Sequence, residues 1–502
     1  MRALPLAAAA MLASATACLA QTPPLRIALR QDADALDPTL ARTYVGRIVF
    51  TSLCDKLVDL NADLQIVPQL AAAYEWTDSQ TLVMKLRPGV KFHDGTNMDA
   101  ASVKYSLERH LNMQGSSRRS EIAGMDRVET PDAATVKIVL KAPNAPFLAQ
   151  LTDRAGMIVS PKAAGAAGKD FSLRPICAGP YKFVERVPQD RIVLEKFAEY
   201  WDAGAYSFPR VVFQPITDGS VRLANLRAGA IDMSENISPS DVEEARKDPR
   251  LKVVISTALG YQSINFNVGK GSRANTPLGR DPRVRKAFEL AIDRTALVQV
   301  VYNGMFDPTA QALAPASPFH ARDVKPPARD VAAARALLAA AGVKTPLVVN
   351  MTLENSQDQR QTGEVLQAML AEAGIELKLN TMEFAASLDA ADRGDFETYL
   401  IGWSGRADPD GNMWNATHTG GPLNYSGYGS PIVDAALEQG RALTDIPGRA
   451  AQYAKAAAQT HADLPIMYLY HPRNIAVMSS RVTGFVAVPD GMLRLRGVGM
   501  AR

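Results

Sequence analysis

The sequence has 502 residues, and its 55 Lys and Arg side chains nearly balance 52 Asp and Glu side chains, which leaves a formal net charge of +3. No long run of one sign of charge occurs, so the composition argues against a nucleic-acid or anionic-membrane surface. Beyond the N-terminus, no apolar stretch has the length that a membrane span requires. A chain of this length exceeds one hydrophobic core and predicts two or three domains.

The first 20 residues have the pattern of a secretory signal peptide. Arg2 precedes a short apolar run, and small residues lead up to Ala20, after which we expect cleavage. The alternative is a lipidated N-terminus at Cys18, but Ala15 stands where lipoprotein signals usually have leucine. Once Cys18 leaves with the signal, Cys54 and Cys177 remain, and an even number of cysteines in the oxidising compartment of an exported protein favours a disulfide between them.

Strands and turns dominate the predicted elements of the N-terminal half. Leu25 to Leu29 alternates like a strand. A second strand, 82–86, is followed by turns and then by Asp99, which is a suitable N-cap for a helix that begins near Ala100. Further strands are predicted at 134–140 and after the turn that begins at residue 178.

The C-terminal half is predicted to be richer in helices. Asp281 and Pro282 favour the start of a helix whose apolar residues recur at helical spacing. A helix at 329–341, a strand at 347–352, a helix at 361–373 and a strand at 375–379 follow. This order of strand, helix and strand with short connections predicts an α/β unit with parallel strands.

Seven motifs occur in a fixed order over most of the chain. They are Leu36-Asp37-Pro38, LRPGVKFHDGT at 86–96, AGPYKF at 178–183, NFNVG at 265–269, DPRVRKAFELAIDR at 281–294, GWSGRADPDGN at 402–412, and Leu464-Pro465-Ile466 with Gly484-Phe485. In this order and spacing the chain resembles the extracellular solute-binding proteins of ABC importers, in the family 5 class that binds dipeptides, oligopeptides or nickel.

The resemblance implies an α/β fold of the two-lobed periplasmic binding protein type, with an extra subdomain in the first lobe. Ligand is then expected in the cleft between the lobes, which close around it by a hinge motion. By this resemblance we expect lobe I at 21–264 plus 486–502, with the inserted subdomain at about 59–180, and lobe II at 265–485.

The competing classes are an exported hydrolase and a nickel-chelate, haem or oligosaccharide receptor of the same family. The HExxH, SxxK and GxSxG motifs are absent, and the six histidines lie far apart in the sequence. We therefore expect no catalytic residues, no metal and no cofactor. His418 is the histidine to examine for a metal or haem site, and Arg118-Arg119, in a Gly/Ser-rich loop, is interpreted as a solvated turn.

The stretch WSGRADPDGN at 403–412 is the main candidate binding site. Trp403 follows an apolar strand, and ligands of open α/β lobes gather at the carboxyl ends of strands. The indole offers a flat apolar wall, and Arg406 has the geometry to hold a carboxylate with two hydrogen bonds. Asp408 is a further candidate, with pairing to Arg406 as the alternative, while 410–412 has turn chemistry.

Arg406 departs from the dipeptide-binding branch of the family. In that branch, the resemblance implies an acid at this position that receives the peptide ammonium group. The arginine that takes the peptide carboxylate there falls near Leu353, so this chain does not keep it. At the position of the aromatic residue that packs on the peptide in that branch, this chain also has an aromatic residue, Phe384. A guanidinium at 406 instead favours a carboxylate-bearing solute: a peptide in another register, a γ-linked peptide such as glutathione, or an amino-acid conjugate.

The loop after Pro38 is expected to supply ligand contacts from the first lobe. Arg42, Thr43 and Tyr44 stand at the family's ligand-facing position, with an ordinary surface loop as the alternative. Asn424 and Tyr425 are weaker candidates from the second lobe. We therefore predict a monomeric periplasmic receptor that delivers a small peptide or peptide-like solute to the permease of an ABC importer, without a nucleic-acid partner.

Overall fold

A computed structural model of the chain describes residues 23–501. The expected signal peptide and the alternative lipidation at Cys18 lie outside the described residues. Within the described part of the chain, none of the helices combines the length and the apolar character needed to cross a membrane.

The first lobe is built on a seven-stranded mixed sheet. In spatial order its strands are Leu251–Thr257, Arg473–Ser479, Met233–Ser234, Leu25–Leu29, Arg210–Pro215, Arg191–Lys196 and Tyr181–Val187. The central strand, which the alternating pattern near the N-terminus predicts, pairs in parallel with both of its neighbours. Its residues are almost entirely buried, so the sheet has covered faces, as parallel pairing requires.

A four-stranded antiparallel sheet belongs to the same half of the molecule. Its strands, in spatial order, are Ala71–Asp78, Thr81–Leu86, Thr135–Leu140 and Met125–Asp132. The helix Ala100–Asn112 covers it and starts as predicted, because the Asp99 carboxylate accepts a hydrogen bond from the Ser102 amide at 2.8 Å. The other helices of this half are Tyr44–Leu53, Phe147–Gln150, Pro161–Ala167, Gly219–Ala228 and Val242–Lys247.

The second lobe is built on a six-stranded sheet. In spatial order its strands are Asp307–Pro308, Ile466–His471, Tyr261–Phe266, Thr398–Trp403, Leu347–Glu354 and Ile375–Met382. The last three pair in parallel, which confirms the predicted α/β unit. Helices surround the sheet: Pro277–Arg280, Pro282–Leu290, Arg294–Tyr302, Val331–Ala340, Gln357–Ala371, Phe384–Asp392, Asp410–Thr417, Pro431–Ala442 and Ile446–Asp463.

The chain passes between the two large sheets twice. It leaves the first sheet after Thr257 and enters the second at Tyr261, and it returns across Pro472. The expected lobe boundaries, after residues 264 and 485, lie beyond both crossings. Strand Arg473–Ser479, placed by the prediction in lobe II, pairs with the lobe I strands, and the continuous apolar pattern across Pro472 conceals the change of sheet.

Two short two-stranded ladders complete the secondary structure, one between Val58–Leu60 and Ile66–Pro68 and one between Val482–Thr483 and Gly499–Met500. Cys54 and Cys177 form a disulfide with a Cα–Cα distance of 5.0 Å, which confirms the predicted bridge. It joins the end of the first helix to the segment before strand Tyr181–Val187, and both cysteines lie in the core of the first lobe.

Candidate functional site

A cavity of about 350 Å³ lies between the two lobes and has the size of a site for a small solute. The first lobe contributes the loop after Pro38, the loop 115–121 and Arg154. The second lobe contributes the carboxyl end of strand Thr398–Trp403, the helix that starts at Phe384 and the loop around Tyr425. Both lobes therefore contact whatever occupies this cavity.

Arg406 lies in this cavity, in a loop organised around Asn412. The Asn412 side chain accepts hydrogen bonds from the Arg406 amide at 2.7 Å and from the Trp403 indole nitrogen at 3.0 Å, and it donates to the Arg406 carbonyl. Gly405 has a φ of 80° and lies so close to the backbone of Leu259 that any side chain would clash there. The loop thus holds the Arg406 guanidinium 4.6 Å from the centre of the Trp403 ring.

Asp153 of the first lobe pairs with Arg406 across the cleft. The Arg406 Nε atom and the Arg47 Nε atom each lie 2.9 Å from Oδ2 of Asp153. Burial alone would raise the pKa of Asp153, but the charges of Arg47 and Arg406 outweigh it and hold this pKa well below its usual range. The partner of Arg406 is therefore Asp153, and not Asp408 as one interpretation of the loop expected.

Arg118 and Arg154 add two more buried guanidinium groups from the first lobe. Arg118 forms an ion pair with Glu121, and both arginines donate a hydrogen bond to the carbonyl of Ala41. Burial and the nearby charge of Arg118 lower the pKa of Arg154 to about 9, and burial and the charge of Arg47 lower that of Arg406 to about 10. The cavity thus has one strongly cationic end.

The solvated turn expected at Arg118-Arg119 is wrong for its first residue. Arg119 is exposed and donates to the carbonyl of Leu111, whereas Arg118 is 3% exposed and lines the cavity. The surrounding Gly and Ser residues are typical of a surface loop. Nothing in this local composition reveals that the loop folds against Ala41.

Four other residues that the sequence predicts for the site line the cavity: Arg42, Tyr44, Phe384 and Trp403. Arg42 bridges the lobes, because its guanidinium lies 3.1 Å from Asp389 and 2.8 Å from Asp392 on the opposite side. Tyr425, one of the two weaker candidates from the second lobe, lines the cavity as well.

Three predicted residues lie outside the cavity lining. Thr43 caps the first helix and donates to Asp34 at 2.7 Å. Asp408 pairs with Arg449 at 2.8 Å, so its charge is used within the second lobe. Asn424 is buried and its amide bonds only to backbone groups of its own loop.

The turn expected at 410–412 is instead the first turn of helix Asp410–Thr417. Asp410 lies in its first turn, where a carboxylate interacts favourably with the helix dipole, and Arg441 binds that carboxylate at 2.7 and 2.9 Å. His418 follows this helix. Its ring stacks on Trp414, its Nε2 atom lies 3.2 Å from Glu438, and it does not line the cavity.

Among residues 23–501, no group of three or more His, Cys, Asp or Glu side chains is arranged to hold a metal ion. The lining of the cavity, within this described part, contains neither histidine, cysteine nor lysine. Its polar groups are guanidinium groups, the carboxylates of Glu121 and Asp392, amides and hydroxyls, and these lie beside aromatic rings.

Comparison with known proteins identifies the family of the chain. The profile of the bacterial extracellular solute-binding proteins, family 5, matches residues 65–424. The glutathione-binding protein GsiB of Pectobacterium atrosepticum is 31% identical over 92% of this chain and 91% of its own length. The chain belongs to the family 5 extracellular solute-binding proteins.

Solved structures show the same two-lobed fold. The periplasmic binding protein DppA of Helicobacter pylori, in complex with the peptide STSA, matches with a TM-score of 0.87 and 25% identity, over 96% of this chain and 98% of its own. The murein tripeptide binding protein MppA of Escherichia coli, at 24% identity, matches with a TM-score of 0.89 over 95% and 98% of the two chains.

Proposed function

We propose that the protein is exported to the periplasm, where it captures a small peptide or peptide-like solute that carries a carboxylate. The loaded, closed protein then delivers this solute as a monomer to the permease subunits of an ABC importer. Contacts from both lobes to one solute favour the closed form, because only that form makes them all at once.

The observation that carries this proposal is the cationic end of the interlobe cavity. A solute carboxylate placed there meets Arg406 of the second lobe and Arg118 and Arg154 of the first. An ammonium group in the same place would be repelled, so a dipeptide held there by its N-terminus is disfavoured. Glutathione is the first candidate to test, because GsiB of Pectobacterium atrosepticum is a glutathione-binding protein and the glycine end of glutathione carries a carboxylate without an ammonium group.

The alternative receptors and the hydrolase find less support. A nickel-chelate or haem receptor needs histidine in the cleft, and His418 lies outside the described lining. A hydrolase needs a nucleophile and a base that converge beside Trp403. The described lining offers serines there without a histidine, cysteine or lysine as partner.

Identification of the solute tests the proposal. The protein is purified natively from its own host, washed extensively and denatured, and the released compounds are identified by mass spectrometry. We expect a small compound with an amide bond and at least one carboxylate, present in close to molar proportion to the protein. A retained sugar without a carboxylate would overturn the proposal.

A further inference from the structure

The cationic end of the cavity has an excess of buried positive charge. Six charged side chains meet there, each at most 9% exposed: Arg47, Arg118, Arg154, Arg406, Asp153 and Glu121. Four guanidinium groups against two carboxylates leave a formal charge of +2. Buried charges are costly to leave unneutralised, so this excess requires anions from outside the cluster.

Adjoining acids are already neutralised by other partners. Asp408 and Asp490 lie beside Arg47 and Arg406 around a small neighbouring cavity. Asp408 pairs with Arg449, and Asp490 accepts two hydrogen bonds from Arg494. Neither acid therefore has its charge free to balance the cluster.

The cluster also contains unused hydrogen-bond capacity. The Nε atoms of Arg118 and Arg154 are buried and lack a hydrogen-bond partner, as does Oε2 of Glu121. The nearest carboxylate oxygen to the Arg154 Nε atom, Oδ1 of Asp153, lies 3.6 Å away. Buried guanidinium groups normally use their N–H groups on carboxylates or carbonyls. Missing partners and missing negative charge thus occur together, on two arginines that line the cavity.

The surroundings of Arg42 have the reverse charge. Arg42 there meets two carboxylates, Asp389 and Asp392, whose side chains are 63% and 43% exposed. Water screens these groups far more than the buried cluster. The cavity therefore offers a weakly acidic wall and a strongly cationic end, which suits a solute with a cationic group at one end and concentrated negative charge at the other.

We infer that the solute end seated at this cluster carries two carboxylates, bound by Arg118 and Arg154 from one lobe and by Arg406 from the other. The inference rests on the proposed function and narrows the solute class. A peptide-like compound whose terminal residue is glutamate or aspartate fits, because its α and side-chain carboxylates lie on one residue. Such a dianion also screens the repulsion between the arginines of the two lobes as the cleft closes.

A matched pair of compounds tests the charge requirement. N-acetyl-L-glutamate has two carboxylates, and N-acetyl-L-glutamine has nearly the same shape with one. At constant ionic strength, on solute-free protein, we expect the glutamate compound to raise the melting temperature and to bind roughly thirtyfold or more tightly than the glutamine compound by calorimetry. Equal effects, or no effect from either compound, would overturn the inference.

Variants test which arginines cause the preference for two carboxylates. Arg118→Gln should abolish most of the preference for the glutamate compound, and Arg119→Gln, at the exposed neighbour, should retain it. If Arg118→Gln does not fold, Arg154→Gln makes the same test. Selectivity that persists in a folded variant of either buried arginine would contradict the assignment.

Failure of this inference differs from failure of the proposed function. If the natural solute has two carboxylates at one end but no amide bond, the proposed peptide-like class falls and the charge requirement stands. If it is peptide-like with a single carboxylate at the end bound by the cluster, the proposed function stands and the inference falls.

Discussion

Replacement of Asp153 by asparagine removes the only described carboxylate that contacts arginines of both lobes in the cationic cluster. Asparagine keeps the size of the side chain and an oxygen that can accept the Arg154 amide, which bonds Oδ1 of Asp153 at 2.7 Å. The substitution therefore changes mainly the charge. The cluster passes from a formal +2 to +3, with Arg47 and Arg406 left without their shared anion.

The size of the effect follows from the two contacts. An attraction of about 4 kcal/mol per pair of unit charges at close range, for a partly polarisable surrounding, gives roughly 8 kcal/mol in all. Desolvation of the ions offsets several kcal/mol of this sum. We expect Asp153→Asn to lower the free energy of unfolding by about 3–5 kcal/mol, as in other proteins that lose one partner of a buried ion pair.

Urea unfolding at several pH values measures this effect. Because the folded-state pKa of Asp153 is depressed, its contribution is complete above the unfolded pKa of about 4 and is lost as the pH falls below it. The difference in the free energy of unfolding between wild type and variant should therefore be large at pH 7 and smaller at pH 3. Asp63→Asn, at an exposed turn, is the control and should change little. A difference below about 1 kcal/mol at pH 7 would refute the reasoning.

Three further predictions concern the disulfide, the buried histidines and the aromatic wall. The Cys54→Ser, Cys177→Ser double variant loses a disulfide with a sequence separation of 123, so its free energy of unfolding should fall by about 4 kcal/mol. Equal stability of the variant and the oxidised wild type would contradict this. Burial lowers the pKa of His110 and His471 to about 4, so their rings stay neutral in the folded state, whereas in the unfolded state they gain protons below about pH 6.5. The free energy of unfolding should therefore fall between pH 6.5 and 4 by up to about 3 kcal/mol per histidine. Unfolding that takes up no protons in this pH range would contradict the prediction. Trp403→Ala removes the ring beneath Arg406 and should weaken solute binding about tenfold. The control Trp414→Ala removes a similar ring beneath Arg441, outside the cavity, and should leave the affinity unchanged. An equal loss of affinity in both variants would argue against a ligand wall at Trp403.

Local chemistry made the elements predictable. The N-caps Asp99 and Asp281 occupy the predicted helix starts, because a short acidic side chain bonds to the backbone within its own helical turn. The parallel α/β unit follows in the same way from the order and spacing of its apolar segments. The passage of the chain across Pro472 was not predictable, since strands on both sides of it have the same buried, apolar pattern.

The charged end of the site depends on contacts that the sequence does not encode locally. Arg47, Arg118, Arg154 and Arg406 come from four separate segments, and only Arg406 stands in a stretch that the sequence marks as a candidate site. Asp408 shows the opposite case: it stands in the predicted loop, but its charge is neutralised by Arg449 of the helix that begins at Ile446. Only the fold decides which charges face the cavity.

Binding of the recovered solute to an Arg406→Gln variant tests the central claim most directly. The solute identified from the native protein is titrated by calorimetry into wild type, Arg406→Gln and the exposed control Arg119→Gln, with circular dichroism as a check on folding. We expect affinity to fall roughly thirtyfold or more in Arg406→Gln and to stay unchanged in the control, because a buried charge-assisted contact is lost only in the first. An Arg406→Gln variant that is folded and binds the solute as tightly as wild type would contradict the account.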